Sequence, residues 1–231
     1  MSWADRVFSP LALKSAGCHL VFMPIAGKFI TLEGGEGAGK STQVARLAER
    51  LEVKGTTVLR LREPGGTDLG EQTRAVLKQP GSVIVPQAEA LLFAACRAQL
   101  VSEVIMPSLA AGSVVLCDRF IDSTVAYQAA GRGLERSLID AANRLACGSV
   151  YPDLTILLDL DPAHGLGRAS LRDHGKHDRF EALEVGFHQR VRAMYHALAQ
   201  AEPRRFFVVD AAQTPEKISE IIWHEVQRRF L

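Results

Sequence analysis

Five short runs of aliphatic and β-branched residues recur along the chain: KFITLE (28–33), TTVLRL (56–61), SVVLCD (113–118), DLTILLDL (153–160) and RFFVVD (205–210). Their near-continuous hydrophobicity is that of parallel strands buried on both faces. Between them the apolar spacing lengthens to the helical period. After Lys40, residues Val44, Leu47, Ala48 and Leu51 share one helical face, and Gly55 is placed to end that helix. Similar patterns predict helices over 68–78, 87–111, 121–130, 135–147, 162–172, 181–200 and 215–230. This alternation argues for an α/β fold with a doubly wound, five-stranded parallel sheet flanked by helices. Ligands of such sheets lie beyond the carboxyl ends of the strands, where the unusual stretches of this sequence also fall. They are GGEGAGKS (34–41), REPGGT (62–67), DRF (118–120) and a basic segment after the fourth strand and its helix.

Composition narrows the classes. A chain of 231 residues suits one α/β domain, expected over 28–231, with residues 1–27 read as a leader outside it. The 27 Lys and Arg balance 26 Asp and Glu, so no polyanion footprint exists and nucleic acid is not an expected partner. Cys18, Cys96, Cys117 and Cys147 are scattered without a CxxC, which suits a reducing cytoplasm. No uninterrupted apolar run reaches the roughly 18 residues of a membrane helix, so a soluble protein and no membrane partner are expected.

The first strand end carries chemistry. Gly34, four residues, Gly39, Lys40 and Ser41 form the Walker A pattern GxxxxGK[ST], with strand before and helix after as the motif requires. Its amides turn inward to phosphate oxygens and the helix N-terminus adds positive dipole. Lys40 would neutralise charge on the β and γ phosphates, and Ser41 offers a hydroxyl to Mg2+. Asp118, at the end of the third strand, could hold the same ion through water, with Arg119 beside it to face an anion; a plain surface ion pair is the competing reading. Switch-type DxxG and NKxD segments are missing.

A second set of residues suits an acceptor. Arg62 begins a sharp turn set by Pro64, Gly65 and Gly66. Phe93 and Arg97 stand four apart on one helical face, pairing a flat apolar ring with a fork of donors. On periodicity alone, Phe93 as core with Arg97 capping its edge reads equally well. Thr124, Tyr127 and Gln128 bring hydroxyl, ring and amide to one face of the next helix.

With these residues in place the chain resembles the thymidylate kinase family from about Lys28 to its C-terminus. The likeness rests on EGGEGAGKST (33–42), REPGGT (62–67), LLFAACRAQL (91–100), CDRF with STVAYQ and GRG (117–133), YPDLTILLD (151–159) and DRFE (178–181), in that order. The resemblance implies transfer of a phosphoryl group from ATP to dTMP, on the path to dTTP, with Mg2+ and in a homodimer. It implies ATP binding by Gly34, Gly35, Glu36, Gly37, Ala38, Gly39, Lys40, Ser41 and Thr42. Phe93 would stack on thymine, Arg97 and Gln128 would help hold base and phosphate, and Arg62 and Arg119 would face the acceptor phosphate. Tyr127 would crowd the sugar against a 2′-hydroxyl, Thr124 would stand beside it, and Glu36 would face the 3′-hydroxyl or the metal region. A basic lid, about 168–180, would supply the catalytic arginine that the loop lacks, Arg172 before Arg168. Lys176, Arg179, His174 and His177 belong to the same segment. Another monophosphate kinase and a P-loop regulator with no acceptor are the alternatives.

Overall fold

The computed structural model describes residues 27–172, 175 and 178–231. The leader reading of 1–27 therefore lies, apart from Gly27, outside the described residues, as do Cys18, His174, Lys176 and His177. The five strands are β1 (Phe29–Gly34), β2 (Val58–Arg62), β3 (Val114–Asp118), β4 (Leu154–Asp159) and β5 (Phe206–Asp210). All pairings are parallel and the order is β2-β3-β1-β4-β5. The three inner strands are buried along almost their whole length. The outer two are not: Arg60, Arg62 and Val208 are exposed, because an edge strand keeps one side free of neighbours.

Three predicted helices, 68–78, 162–172 and 215–230, match to the residue, and the eight of the sequence pattern together account for all nine α-helices among the described residues. They are α1 (Lys40–Val53), α2 (Asp68–Lys78), α3 (Pro86–Leu100), α4 (Met106–Ala110), α5 (Ile121–Thr124), α6 (Arg136–Cys147), α7 (Pro162–Arg172), α8 (Val185–Ala201) and α9 (Pro215–Phe230). The predicted helix 87–111 is α3 and α4 joined by a π-helical turn, Val101–Ile105; the predicted 121–130 is α5 running into another, Val125–Gly131. Helix 181–200 begins only at Val185. The Asp178 carboxylate accepts from the amides of Phe180 (2.8 Å) and Glu181 (3.0 Å) and holds that stretch as a turn.

The α3–α4 run, Pro86–Ala110, has a mean hydropathy of 1.4 over an 18-residue window and by length and composition could span a membrane. A count of uninterrupted apolar residues overlooked it. It packs against α2 and α6 and buries Glu89 and Arg97, as a helix of a folded core does.

Period-2 alternation divides the core. On one face Ile30, Leu32, Leu116 and Ile156 meet Leu47 and Leu51 of α1 and Ile218, Ile222 and Val226 of α9. On the other, Phe29, Val115 and Cys117 pack on Leu100, Ile105 and Phe120, while Leu157 meets Phe187, Val191 and Tyr195 of α8. Each fully buried Leu, Ile or Phe contributes about 1.5–3 kcal/mol. Glu33 lies on this second face, a fully buried carboxylate just before the glycine loop that accepts from the Phe120 amide and from the hydroxyls of Ser123 and Tyr195.

Candidate active site

The loop between β1 and α1 turns through left-handed glycines, Gly37 at φ 66° and Gly39 at φ 91°. A Cβ on Gly37 would stand 2.0 Å from the Gly165 carbonyl of α7, so only glycine fits. Lys40, the first residue of α1, curls its ammonium back to the carbonyls of Gly34 (3.1 Å) and Gly35 (2.7 Å). Burial, and then the Arg119 charge, push it down to about 8. Ser41 donates to Asp118 Oδ2 at 2.5 Å, so the hydroxyl and carboxylate expected at a metal stand together across two strands. Among the described residues no cluster of three His, Cys, Asp or Glu could hold an ion unaided. This oxygen pair fits a hard cation that completes its shell with phosphate and water.

Arg119 has φ 72°, the left-handed region that costs a non-glycine residue of order 1 kcal/mol. Two bonds fix that turn: the Arg119 amide donates to Leu32 O (3.0 Å), and the Phe120 amide donates to Glu33 Oε1 (2.7 Å). The turn aims the guanidinium at Glu36 Oε1 (2.8 Å) and Gly34 O (3.1 Å), 4.9 Å from the Tyr127 ring centre. Tyr127 donates its hydroxyl to the same Glu36 oxygen (2.9 Å). Burial would raise the Glu36 carboxyl, but Arg119, Lys40 and the Tyr127 bond outweigh it and bring the group down to about 2. The acid in the phosphate loop is thus an ionised acceptor.

One cavity of about 630 Å3 joins the two halves. Glu36, Gly37, Gly39, Lys40, Ser41, Thr42 and Asp118 border it on the loop side; Arg62, Phe93, Arg119, Thr124, Tyr127, Gln128 and Arg172 border it on the other. The thymidylate kinase family model matches residues 32–222, most of the chain. The chain belongs to the thymidylate kinase family. Thymidylate kinase of Solidesulfovibrio magneticus is 54% identical over 201 residues, covering 84% of this chain and 96% of the relative. That of Deinococcus radiodurans is 51% identical over 203 residues, 88% and 98% of the two chains. The crystal structure of thymidylate kinase from Ehrlichia chaffeensis superposes with a TM-score of 0.72 at 35% identity, covering 87% of this chain and 99% of that one. The protein is therefore a nucleoside monophosphate kinase on a P-loop fold.

Five residues expected at the site do not border the cavity: Arg97, Arg168, Gly34, Gly35 and Ala38. Arg97 is only 1% exposed and lies behind the wall. Glu63, buried on the REPGGT turn, takes its Nε (2.9 Å) and Nη2 (2.5 Å); Asn143 and the Phe120 carbonyl take further donors. Arg168 donates to Ala211 O (3.0 Å) and leaves the lid position to Arg172, which pairs with Glu181 at 2.9 Å. Residues 168–172, the start of the segment expected as a lid, are the last turn of α7. Gly34 and Gly35 border a smaller space behind the loop, and Ala38 is buried.

Sequence reading overlooked other members of the site. Arg74 and Lys78, four apart on α2, border the cavity; Arg74 donates to Pro64 O (2.8 Å) and Lys78 pairs with Asp178 (2.7 Å). Their spacing after REPGGT was the available signal. Phe180 and Glu181 of DRFE also reach the cavity, Phe180 edge-on to Phe93 with centroids 6.0 Å apart.

Proposed function

We propose a division of labour for the transfer of the γ-phosphoryl group of ATP to dTMP, which gives ADP and dTDP. The observation that carries it is the single cavity bounded by the phosphate loop on one side and by basic and aromatic side chains on the other. Loop amides from Gly34 to Thr42 hold the ATP phosphates, and Lys40 exchanges two carbonyl contacts for phosphate oxygens. Ser41 and, through water, Asp118 would hold Mg2+, which would draw charge from the phosphates.

On the acceptor side Phe93 stacks on the base, with Thr124 and Gln128 at its edge. Arg62, Arg74 and Arg119 face the acceptor phosphate, and Arg172 reaches in from the lid. Arg97 acts through Glu63 and Asn143. Glu36, ionised across the neutral range, accepts from the sugar 3′-hydroxyl, and Tyr127 leaves little room for a 2′-hydroxyl. The acceptor oxygen is already anionic, so alignment and charge compensation suffice and no general base is needed.

A homodimer in the cytoplasm fits the surface. Leu69 and Val76 of α2, Leu91 of α3, and Leu138 and Leu145 of α6 are exposed on helices that pack side by side, and the three described cysteines are buried free thiols.

Steady-state ADP release with dTMP, dUMP, dCMP, AMP, CMP and UMP tests the assignment, with dTMP expected to give the highest kcat/KM. A ribonucleotide that outperforms dTMP would replace the acceptor. ATP hydrolysis indifferent to every monophosphate would mean a regulator without one.

A further inference from the structure

The acceptor half rests on a carboxylate that phosphoryl transfer does not use. Glu89, on α3, is wholly buried and receives three side chains: Arg179 (2.6 Å), Arg132 (2.9 Å) and Gln128 Nε2 (2.8 Å). A carboxylate facing two guanidiniums accepts hydrogen bonds and does not donate them. Only the NH2 end of the Gln128 amide can meet it, so the chemistry of the partner fixes the orientation of the amide. Gln128 borders the cavity, and because its NH2 end is held by Glu89 its carbonyl oxygen is the end of the amide left to act as an acceptor. One helical turn earlier, Thr124 Oγ1 is buried without a hydrogen-bond partner among the described residues.

We propose that Glu89 sets the base specificity of this enzyme by holding the Gln128 carbonyl toward the acceptor base, so that the site takes a pyrimidine with a proton on N3 and rejects cytosine. Thymine and uracil present N3–H, which that oxygen accepts. Cytosine presents a lone pair at the same atom, leaving two acceptors opposed and unsatisfied in a closed site. Thr124, whose hydroxyl can donate or accept, adapts to either base and does not discriminate. Glu89 touches no substrate; it is a positioning residue. The inference rests on the reading of the cavity as the dTMP site with Gln128 at the base.

The measurement is kcat/KM for dUMP and for dCMP, which share sugar and phosphate and both lack the 5-methyl group, so their ratio reports the base edge alone. The wild-type enzyme should favour dUMP by about a hundredfold or more. In Glu89→Gln a neutral amide can face Gln128 either way round, and the ratio should fall by about tenfold or more, with the KM for dTMP rising more than its kcat falls. Glu89→Asp keeps the charge but withdraws it, and should fall between the two. It serves as the test if Glu89→Gln does not fold. Gln128→Met should abolish the preference, and adding Glu89→Gln to it should change nothing further.

A ratio unchanged in folded Glu89 variants while Gln128→Met loses it would overturn the role of Glu89, as would an equal loss on both pyrimidines. A ratio unchanged in Gln128→Met would instead overturn the placement of Gln128 at the base, and with it the ground of the proposal.

Discussion

Glu33 and Glu36 stand three residues apart at one strand end and titrate in opposite directions. Burial first, then the charge of Asp122, push Glu33 up to about 7, against the pull of Ser123, Arg119 and the Phe120 amide. Arg119 and Lys40 hold Glu36 down at about 2 although it too is buried. Because the folded value of Glu33 lies above its ordinary 4.5, folding takes up a proton. The ionised side chain therefore costs stability above pH 7, and the cost fades as pH falls from 7 toward 4.5. Between pH 5 and 8 the stability of Glu33→Gln should gain on wild type by more than about 1 kcal/mol in denaturant titrations. A gap independent of pH would contradict this. The loop pattern gave the places of Lys40 and Ser41, and the end of the third strand those of Asp118 and Arg119, all four of which border the cavity. Arg97 was not legible: helical spacing sets it beside Phe93, but nothing local reveals that Glu63, 34 residues away, claims its guanidinium.

Helix α7 carries a contrast between two glycines a turn-fraction apart. A Cβ on Gly165 would come 2.3 Å from the Glu36 carbonyl, whereas nothing lies within 4 Å of one on Gly167. Glycine inside a helix ordinarily costs about 0.5–1 kcal/mol against alanine, so Gly167→Ala should raise the melting temperature. Gly165→Ala should lower it, together with kcat/KM for both substrates, since the phosphate loop and the helix leading to the lid must separate. Equal melting shifts in the two variants would show that this contact does not hold the loop. Strand positions were legible from composition, and the five runs fall on the five strands within two residues at each end. The π-helical turn at Val125–Gly131 was not, because an extra residue in a helix leaves the apolar pattern almost intact. It nevertheless keeps Tyr127 and Gln128 at the cavity with Thr124.

At the scale of the whole molecule, β1 is central and its neighbours β3 and β4 lead away on either side, which sets the loop at the point where strand order reverses. Topology of this kind was readable from the alternation of elements; which leucines stand exposed was not, since exposed and buried leucines look alike in sequence. Sedimentation of the wild-type protein should give twice the chain mass, and Leu91→Glu combined with Leu145→Glu should shift it to one chain. A wild-type monomer at micromolar concentration would remove the dimer. Four of the six described cations bordering the cavity share one habit: Arg62 has Glu71, Lys78 has Asp178, Arg119 has Glu36 and Arg172 has Glu181, while Lys40 and Arg74 rest on backbone carbonyls. An incoming phosphate would have to displace a carboxylate at each of these four, and a departing product would be displaced by one. Release, a step that limits many enzymes, would be helped by the same acids that compete with capture, because each of these four cations has a carboxylate to return to.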